Sequence, residues 1–245
     1  EIMIKTTFKI KKDIEKKDYS RFIFEPLEQG YGQTLGNSLR RCLLNNIPGA
    51  AVVRVKIEGI RHQFSTLSGM KEDIVEFILN LKQLRVIYKG DEEAKITLST
   101  KGTGPVTAKD LKLPANVKIV NSDLFLAKIT DKKSSLNVTA WIKSGFGYSP
   151  AEERKTTVIG EIPVDASFSP ITRVNYKVEA TRVGRRTDLD RLIMEIWTNG
   201  TIKSKDALDY AAKTLVGFFK QVYDPAKEEE VKIEDKSNEN TEVFK

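Results

Sequence analysis

The sequence has 245 residues, of which 40% are hydrophobic and 31% charged, with a formal net charge of +7. This balance is typical of a globular protein with one or two domains, and the mild basic excess permits contact with nucleic acid or an acidic protein without requiring either. A single cysteine, Cys42, and a single histidine, His62, exclude a disulfide framework and supply too few soft ligands for zinc. No apolar run approaches the ~18 residues of a membrane span, so we expect a cytoplasmic protein.

The first part of the chain is predicted to form two strands and then a helix. Alternating apolar residues indicate strands over 8–10 and 21–25. The helix follows a glycine turn at Gly30–Gly32, takes Thr34 as its N-cap and ends at Pro48–Gly49.

The middle of the chain is predicted to be rich in strands. Residues 50–59 form a strand and 62–70 a polar turn. Residues 72–84 form a helix, because acids in the first turn and Lys82 near the end complement the helix dipole. From 86 to 147, short apolar runs alternate with turns, which indicates several strands.

The last part returns to strands followed by a helix. Residues 159–183 contain two strand candidates, and the apolar run 192–200 predicts a strand buried on both faces. A helix covers 204–222, capped by Ser204, and 224–245 is too polar to build a core. This order predicts an α+β fold in which two halves of one domain flank an inserted domain.

Candidate catalytic and cofactor sites are weak. Gly30–Gly36 resembles a dinucleotide-binding loop, but that motif requires glycine at Leu35, so the glycines are better explained by backbone geometry. Cys42 lies on the apolar stripe of its helix, which favours a buried, inert thiol. Asp188 and Asp190 have a spacing that could hold Mg²⁺ or cap turns. We therefore predict no catalytic residue, metal or cofactor.

The first helix has two distinct faces. An apolar stripe is formed by Leu35, Leu39, Cys42 and Leu43. Arg41 and Leu44 fall outside that stripe at helical spacing i, i+3. They are either a solvated arginine beside an exposed leucine or a partner site in which the leucine is an anchor.

The C-terminal helix is apolar over too wide an arc for one buried face. Its apolar residues are Leu208, Ala211, Ala212, Leu215, Val216, Phe218, Phe219 and Val222. Such a helix must be covered on two sides, either within the chain or between its own sheet and a second copy in a two-fold dimer.

Several segments in the same order resemble one known family. They include EPLEQGYGQTLGNSLRRCLL, EGIRHQFSTLSGMKEDIVEFILNLK, GTGPVTAKDL, GFGYSPAE and PVDASFSPITRVNYKVEATRVGRRTDLDRLIMEIWTNGTI. From about residue 4 to 223, the chain is similar to the N-terminal assembly region of the α subunit of bacterial-type DNA-directed RNA polymerase.

The resemblance implies a dimerisation subdomain of mixed helices and antiparallel sheet over 1–49 and 170–223. It implies an inserted β-rich subdomain over 50–169 that contacts the large subunits, and a disordered linker over 224–245. The family homodimerises and assembles the β and β′ subunits, joined by ω and σ in the whole nucleoid-associated complex. Catalytic Mg²⁺ lies on β′, so this chain is implied to be a non-catalytic subunit that meets DNA only through the complex.

The resemblance also implies which residues make these contacts. The implied dimer interface comprises Leu35, Leu39, Leu43, Leu208, Leu215, Phe218, Phe219 and Val222. The implied large-subunit contacts are Arg40, Arg41, Leu44, Lys82, Asp165, Ser169, Arg186 and Asp188. Family members usually continue into a small helical domain that binds upstream DNA. Since this sequence stops in the linker, we do not expect it to bind promoter DNA.

Two other functions stay open at this stage. The first is a stand-alone small-molecule enzyme that uses the Gly30–Gly36 turn, which predicts saturable nucleotide binding. The second is a nucleic-acid-binding module that acts through the basic excess, which predicts binding that weakens steeply with salt.

Overall fold

The computed structural model describes residues 7–154 and 158–225. Within these ranges there are three helices: α1 (Tyr31–Asn45), α2 (Ile74–Lys82) and α3 (Ser204–Tyr223). The strands are β1 (Lys9–Lys16), β2 (Tyr19–Leu27), β3 (Gly49–Ile57), β4 (Val86–Tyr88), β5 (Ala94–Lys101), β6 (Gly104–Thr107), β7 (Leu111–Lys112), β8 (Val117–Ile119), β9 (Phe125–Ile129), β10 (Ser135–Gly145), β11 (Tyr148–Ser149), β12 (Glu161–Pro163), β13 (Ala166–Ser167), β14 (Ile171–Val183) and β15 (Arg186–Thr198). The predicted linker lies outside the described residues except for Asp224 and Pro225.

One sheet joins the two ends of the described chain. Its four antiparallel strands run in the order β1-β2-β15-β14, and α1 and α3 pack on one face. We call the apolar interior between them the helical core. Its buried residues are Phe22, Phe24, Leu27, Leu39, Cys42, Leu43, Ile47, Ile171, Val174, Leu192, Met194, Ile196, Ala207, Leu208 and Ala211.

The expectation that 192–200 is buried on both faces was wrong. In β15, Leu192, Met194 and Ile196 point into the helical core, whereas Ile193 and Glu195 are only half-buried on the other face. Both neighbours of β15 are antiparallel, and an antiparallel sheet can leave one face accessible to water.

The middle of the chain forms a second sheet. Its strands follow the order β7-β5-β10-β3-β4-β8, with β12 also paired to β3. The nonpolar side of α2 covers this sheet through Ile74, Phe77, Ile78 and Leu81. We call this interior the β-rich core, and it runs from Val52 to Val164. The mixture of helices and antiparallel sheets confirms the predicted α+β class.

Two helix starts differ from their predictions. α1 begins at Tyr31, after Gly30 in the left-handed conformation at φ +85°, so Thr34 lies inside the helix and does not cap it. At α3 the N-cap is Lys203, and Ser204 is the first helical residue. Helix-favouring residues after Gly30 and tertiary packing of the first turn extend α1 beyond the position that local cap chemistry indicates.

Candidate subunit interface

α1 lies unusually close to the sheet because two glycines face it. A Cβ atom on Gly32 would lie 2.7 Å from Val178, and one on Gly36 would lie 2.6 Å from the ring of Tyr176. The glycine spacing therefore serves close helix–sheet packing. Side chains of the sheet fill the space beside both glycines, which leaves no room there for the phosphates of a nucleotide.

The start of α1 is held by Asp190 on β15. Its Oδ2 atom accepts hydrogen bonds from the backbone amides of Gly30, at 2.9 Å, and Gly32, at 3.0 Å. These amides lie at the helix N-terminus, where partners for backbone N–H groups are scarce and a carboxylate also opposes the helix dipole. Of the two roles considered for Asp190, the capping role matches this geometry.

The outer side of α1 presents an arginine pair. Arg40 lies over the sheet edge, and its Nε donates to the carbonyl of Val174, 3.2 Å away. Arg41 is exposed and forms neither a hydrogen bond nor an ion pair with the described part of the chain. Leu44 differs from expectation: it is partly buried against the helical core, because α1 lies between the sheet and α3 and is covered over a wide arc. Arg41 is thus the member of the second face that is free for a partner.

α3 changes character along its length. Its first half is anchored in the helical core by Ala207, Leu208 and Ala211. Its second half carries large apolar side chains in solvent. The exposed fractions are 65% for Val216, 67% for Phe218, 60% for Phe219 and 82% for Val222. We call these four residues the α3 apolar face.

The eight residues implied for the dimer interface fall into three groups. Leu39, Leu43 and Leu208 are buried within the single chain and have little surface left for a partner. Leu35 and Leu215 are partly buried against the helical core. The remaining three, Phe218, Phe219 and Val222, belong to the α3 apolar face.

Two of the implied large-subunit residues contact each other on the β-rich side. The ammonium group of Lys82, at the end of α2, lies 3.2 Å from Oδ2 of Asp165. The other oxygen of Asp165 accepts the amide of Ala151 at 2.9 Å. These two contacts, the Ala151 amide first and Lys82 second, lower the pKa of Asp165. The pair therefore stays charged well into mildly acidic conditions.

Another two form an ion-pair cluster near the β14–β15 turn. Arg186 donates through Nη1 and Nη2 to both carboxylate oxygens of Glu28, at 2.9 and 2.7 Å. The same guanidinium contacts Asp188, and this lowers the pKa of that carboxyl group. Ser169 lies elsewhere, and its Oγ donates to the carbonyl of Leu44 at 3.2 Å. The eight implied contacts therefore form several separate patches in this chain.

Comparison with known proteins gives two findings. Residues 55–169 match the family model described as the RNA polymerase Rpb3/RpoA insert domain. The DNA-directed RNA polymerase subunit alpha of Symbiobacterium thermophilum is 47% identical over 235 residues, which cover 94% of this chain and 74% of that protein. The chain belongs to the RNA polymerase α-subunit family.

Two further α subunits support this assignment. That of Roseiflexus sp. is 48% identical over 208 residues, covering 85% of this chain and 64% of the relative. That of Herpetosiphon aurantiacus is 50% identical over 202 residues, covering 82% of this chain and 61% of the relative. The chain thus spans less than two thirds of the length of these two curated relatives. The suspected family is confirmed.

In this family member, the groups that suggested other chemistry are placed as structural residues. Cys42 is buried, its thiol faces the carbonyl of Ala211 at 3.4 Å, and burial raises its pKa. His62 lies in an exposed turn beside Ser65. In residues 7–154 and 158–225, no group of three or more His, Cys, Asp or Glu side chains could hold a metal ion. No helix in those ranges has the length and apolar character needed to cross a bilayer.

Sequence reasoning missed two structural contacts that shape this α subunit. Arg154 donates to the carbonyls of Val53, Val164 and Ser149 and so ties the 149–154 segment to β3. Glu28 pairs with Arg186 across 158 positions of sequence. Neither residue has a local signal, because each acts through partners that only the fold brings near.

Proposed function

We propose that this chain is the assembly subunit of a DNA-directed RNA polymerase. It forms a homodimer and holds the β and β′ subunits, and it supplies no catalytic residue. In this proposal 1–49 and 170–223 form the dimerisation subdomain, and 50–169 form an inserted subdomain that contacts the large subunits. The chain works in the cytoplasm within the polymerase and meets DNA only through the complex.

The α3 apolar face is the observation that supports the proposal most. Fully burying a side chain of Val or Phe size is worth about 1.5–3 kcal/mol, so exposing four on one half-helix is costly for an isolated chain. A contiguous exposed apolar surface of this kind marks a protein contact. Since the face continues a helix rooted in the helical core, a second copy of the same helix can cover it around a two-fold axis.

Arg41 supports the second half of the proposal. Its guanidinium is exposed and lacks partners within the described residues, although α1 is held rigidly by Asp190. An arginine on a rigid helix can bind a carboxylate of another subunit through two parallel hydrogen bonds. We place Arg41, with the edge of Leu44, in the β contact. Lys82 with Asp165, Ser169, Arg186 with Asp188, and Arg40 complete the proposed large-subunit surface.

The experiment compares capture of β by the full chain and by Arg41→Ala. Truncating one partner of a buried charge pair costs about 2–5 kcal/mol, so capture should fall steeply while the dimer persists. Lys11→Ala is the matched control, because Lys11 is exposed on β1 and pairs in register with Ile23 on the sheet face away from α1. Equal β capture by Arg41→Ala and the wild type would refute the role of Arg41.

A further inference from the structure

The helical core and the β-rich core are joined covalently at one place. The chain crosses between them at 48–50 and returns at 168–170. The two crossings touch so closely that a Cβ atom on Gly49 would lie 1.8 Å from the carbonyl oxygen of Phe168. Ser169 then bonds the carbonyl of Leu44. This tight crossing is a pivot about which the two cores are positioned.

A second contact lies apart from the pivot and is made by Arg85. Its Nη1 donates to the carbonyl of Asn199 at 3.1 Å and lies 3.9 Å from Oδ2 of Asp18. Asp18 is in the β1–β2 turn, and Asn199 follows β15, so both acceptors belong to the four-stranded sheet. These two turns are themselves joined, since the amide of Thr198 donates to the carbonyl of Asp18. Arg85 therefore links the β-rich side to one end of that sheet.

The base of Arg85 is fixed. Its amide donates to Oδ1 of Asn121 at 2.8 Å, and its carbonyl accepts the amide of Val120 at 2.9 Å. Asn121 in turn donates to the carbonyl of Gln83, just after α2. A side chain anchored in this way transmits the position of the β-rich core to whatever its guanidinium holds.

Asp18 depends on this contact. Its Oδ1 atom is buried and has no hydrogen-bond partner among the described residues. Arg85 is the one cation within 4 Å of its carboxylate in the described part of the chain. Loss of the guanidinium would leave a partly buried carboxylate uncompensated, which favours hydration and separation of the two turns.

Between the pivot and Arg85 the two cores leave a cleft of about 1090 Å³. It is lined from the β-rich side by Tyr88 and Phe146 and from the α3 side by Ile202 and Tyr210. Because this space is open, the two cores do not interlock across it. The angle between them depends on the pivot and on contacts at the margin of the cleft.

We propose that Arg85 is a positioning residue that latches the β-rich core to the helical core and fixes the angle between them. Both Arg85 and Asp18 are partly exposed, so the latch is weak enough to open. If the proposed function holds, this angle also sets the spacing between the Arg41 surface and the Lys82–Asp165 surface that the large subunits meet.

The test measures one distance by pulsed electron paramagnetic resonance. Spin labels are placed at Lys11→Cys on β1 and Lys95→Cys on β5, two exposed positions. Cys42 is buried and stays unlabelled. Doubly labelled chain is mixed with an excess of unlabelled chain, so that each dimer carries one labelled copy. The labelled wild type should give one narrow distance distribution.

In that background Arg85→Ala should broaden the distribution and shift it, and Asp18→Asn should do so less. Arg85→Lys, which keeps the charge, should restore much of the wild-type distribution. Arg61→Ala is the matched control, because Arg61 is an exposed arginine of the same core without a hydrogen bond or ion pair in the described residues. Its distribution should match the wild type.

An unchanged distribution for Arg85→Ala would overturn the latch. So would a change accompanied by a lower unfolding temperature of the β-rich core, since that would mean a merely structural role. The measurement needs no large subunit, so its failure would leave the proposed assembly function standing. Conversely, a latch that opens as described would survive a failure of β capture.

Discussion

The ammonium nitrogen of Lys82 and the carboxylate of Asp165 lie 3.2 Å apart, although 83 positions separate them in the sequence. Both residues are proposed to contact a large subunit. A partner therefore meets a formed ion pair, not two independent charges. Because Asp165 also accepts the amide of Ala151, the pair is tied to the segment that Arg154 holds against β3.

Replacing Asp165 should change stability in a pH-dependent way. Its pKa is lowered in the folded chain, so its contribution is present above the unfolded value of about 3.9 and is lost as pH falls through the folded value. Asp165→Asn should lower the free energy of unfolding at pH 7 by less than about 1 kcal/mol, since the group is partly exposed. Urea titrations of both proteins at neutral and strongly acidic pH check this. The same difference at both pH values would contradict it.

Gly36→Ala should destabilise the helical core. The new methyl group would meet Tyr176 at 2.6 Å and Leu192 at 3.0 Å, and overpacking of this kind costs about 1–3 kcal/mol. The measurement is the urea midpoint.

Gly217 on α3 supplies the matched control for that substitution. A Cβ atom there has no neighbour within 4 Å, so Gly217→Ala should stabilise the helix by about 0.5–1 kcal/mol. If both alanine variants shifted the midpoint in the same direction, close packing at Gly36 would not be the cause.

Asp190→Ala should weaken the start of α1. Loss of an acceptor for helix N-terminal amides costs about 0.5–2 kcal/mol, and here the amides of Gly30 and Gly32 both lose their partner. Asp190→Asn keeps one side-chain oxygen and should cost less. Hydrogen exchange of the first turn of α1 reports the effect, with exposed Asp188→Ala as the control. Unaltered exchange in Asp190→Ala would exclude Asp190 as the anchor.

Cys42 should be inert in the folded chain. It is buried and its pKa is raised by burial, whereas a thiolate is the reactive form. A thiol reagent should react with Cys42 only as fast as α1 and α3 separate, and far more slowly than with an exposed Lys95→Cys side chain. Equal rates at the two positions would show that the α1–α3 contact is open in solution.

Local pattern was sufficient for much of this fold. Charge placement located α2, because Asp73 caps it through the amide of Glu76 and Lys82 lies in its last turn. The excess of apolar residues on α3 also indicated correctly that one layer could not cover the helix. The structure adds that the uncovered part is the second half, at Val216–Val222.

The errors come from tertiary contacts that a local pattern cannot contain. Thr34 has the chemistry of an N-cap, but α1 starts earlier because Asp190, 158 positions after Gly32, satisfies its first amides. Leu44 falls outside the apolar stripe, yet it is partly buried because two layers enclose α1. The role of Arg85 is equally non-local, since its acceptors lie in two turns of the other sheet.

The central claim is that the α3 apolar face docks on a second copy of the chain. Light scattering coupled to size-exclusion chromatography tests it most directly. The account predicts a mass near twice 27.7 kDa for the wild type and near 27.7 kDa for the double variant Phe218→Ser, Phe219→Ser. Phe64→Ser, at an exposed position on the β-rich side, should leave the larger mass unchanged. A wild-type mass of 27.7 kDa, or a double variant that still elutes as a dimer, would contradict the claim.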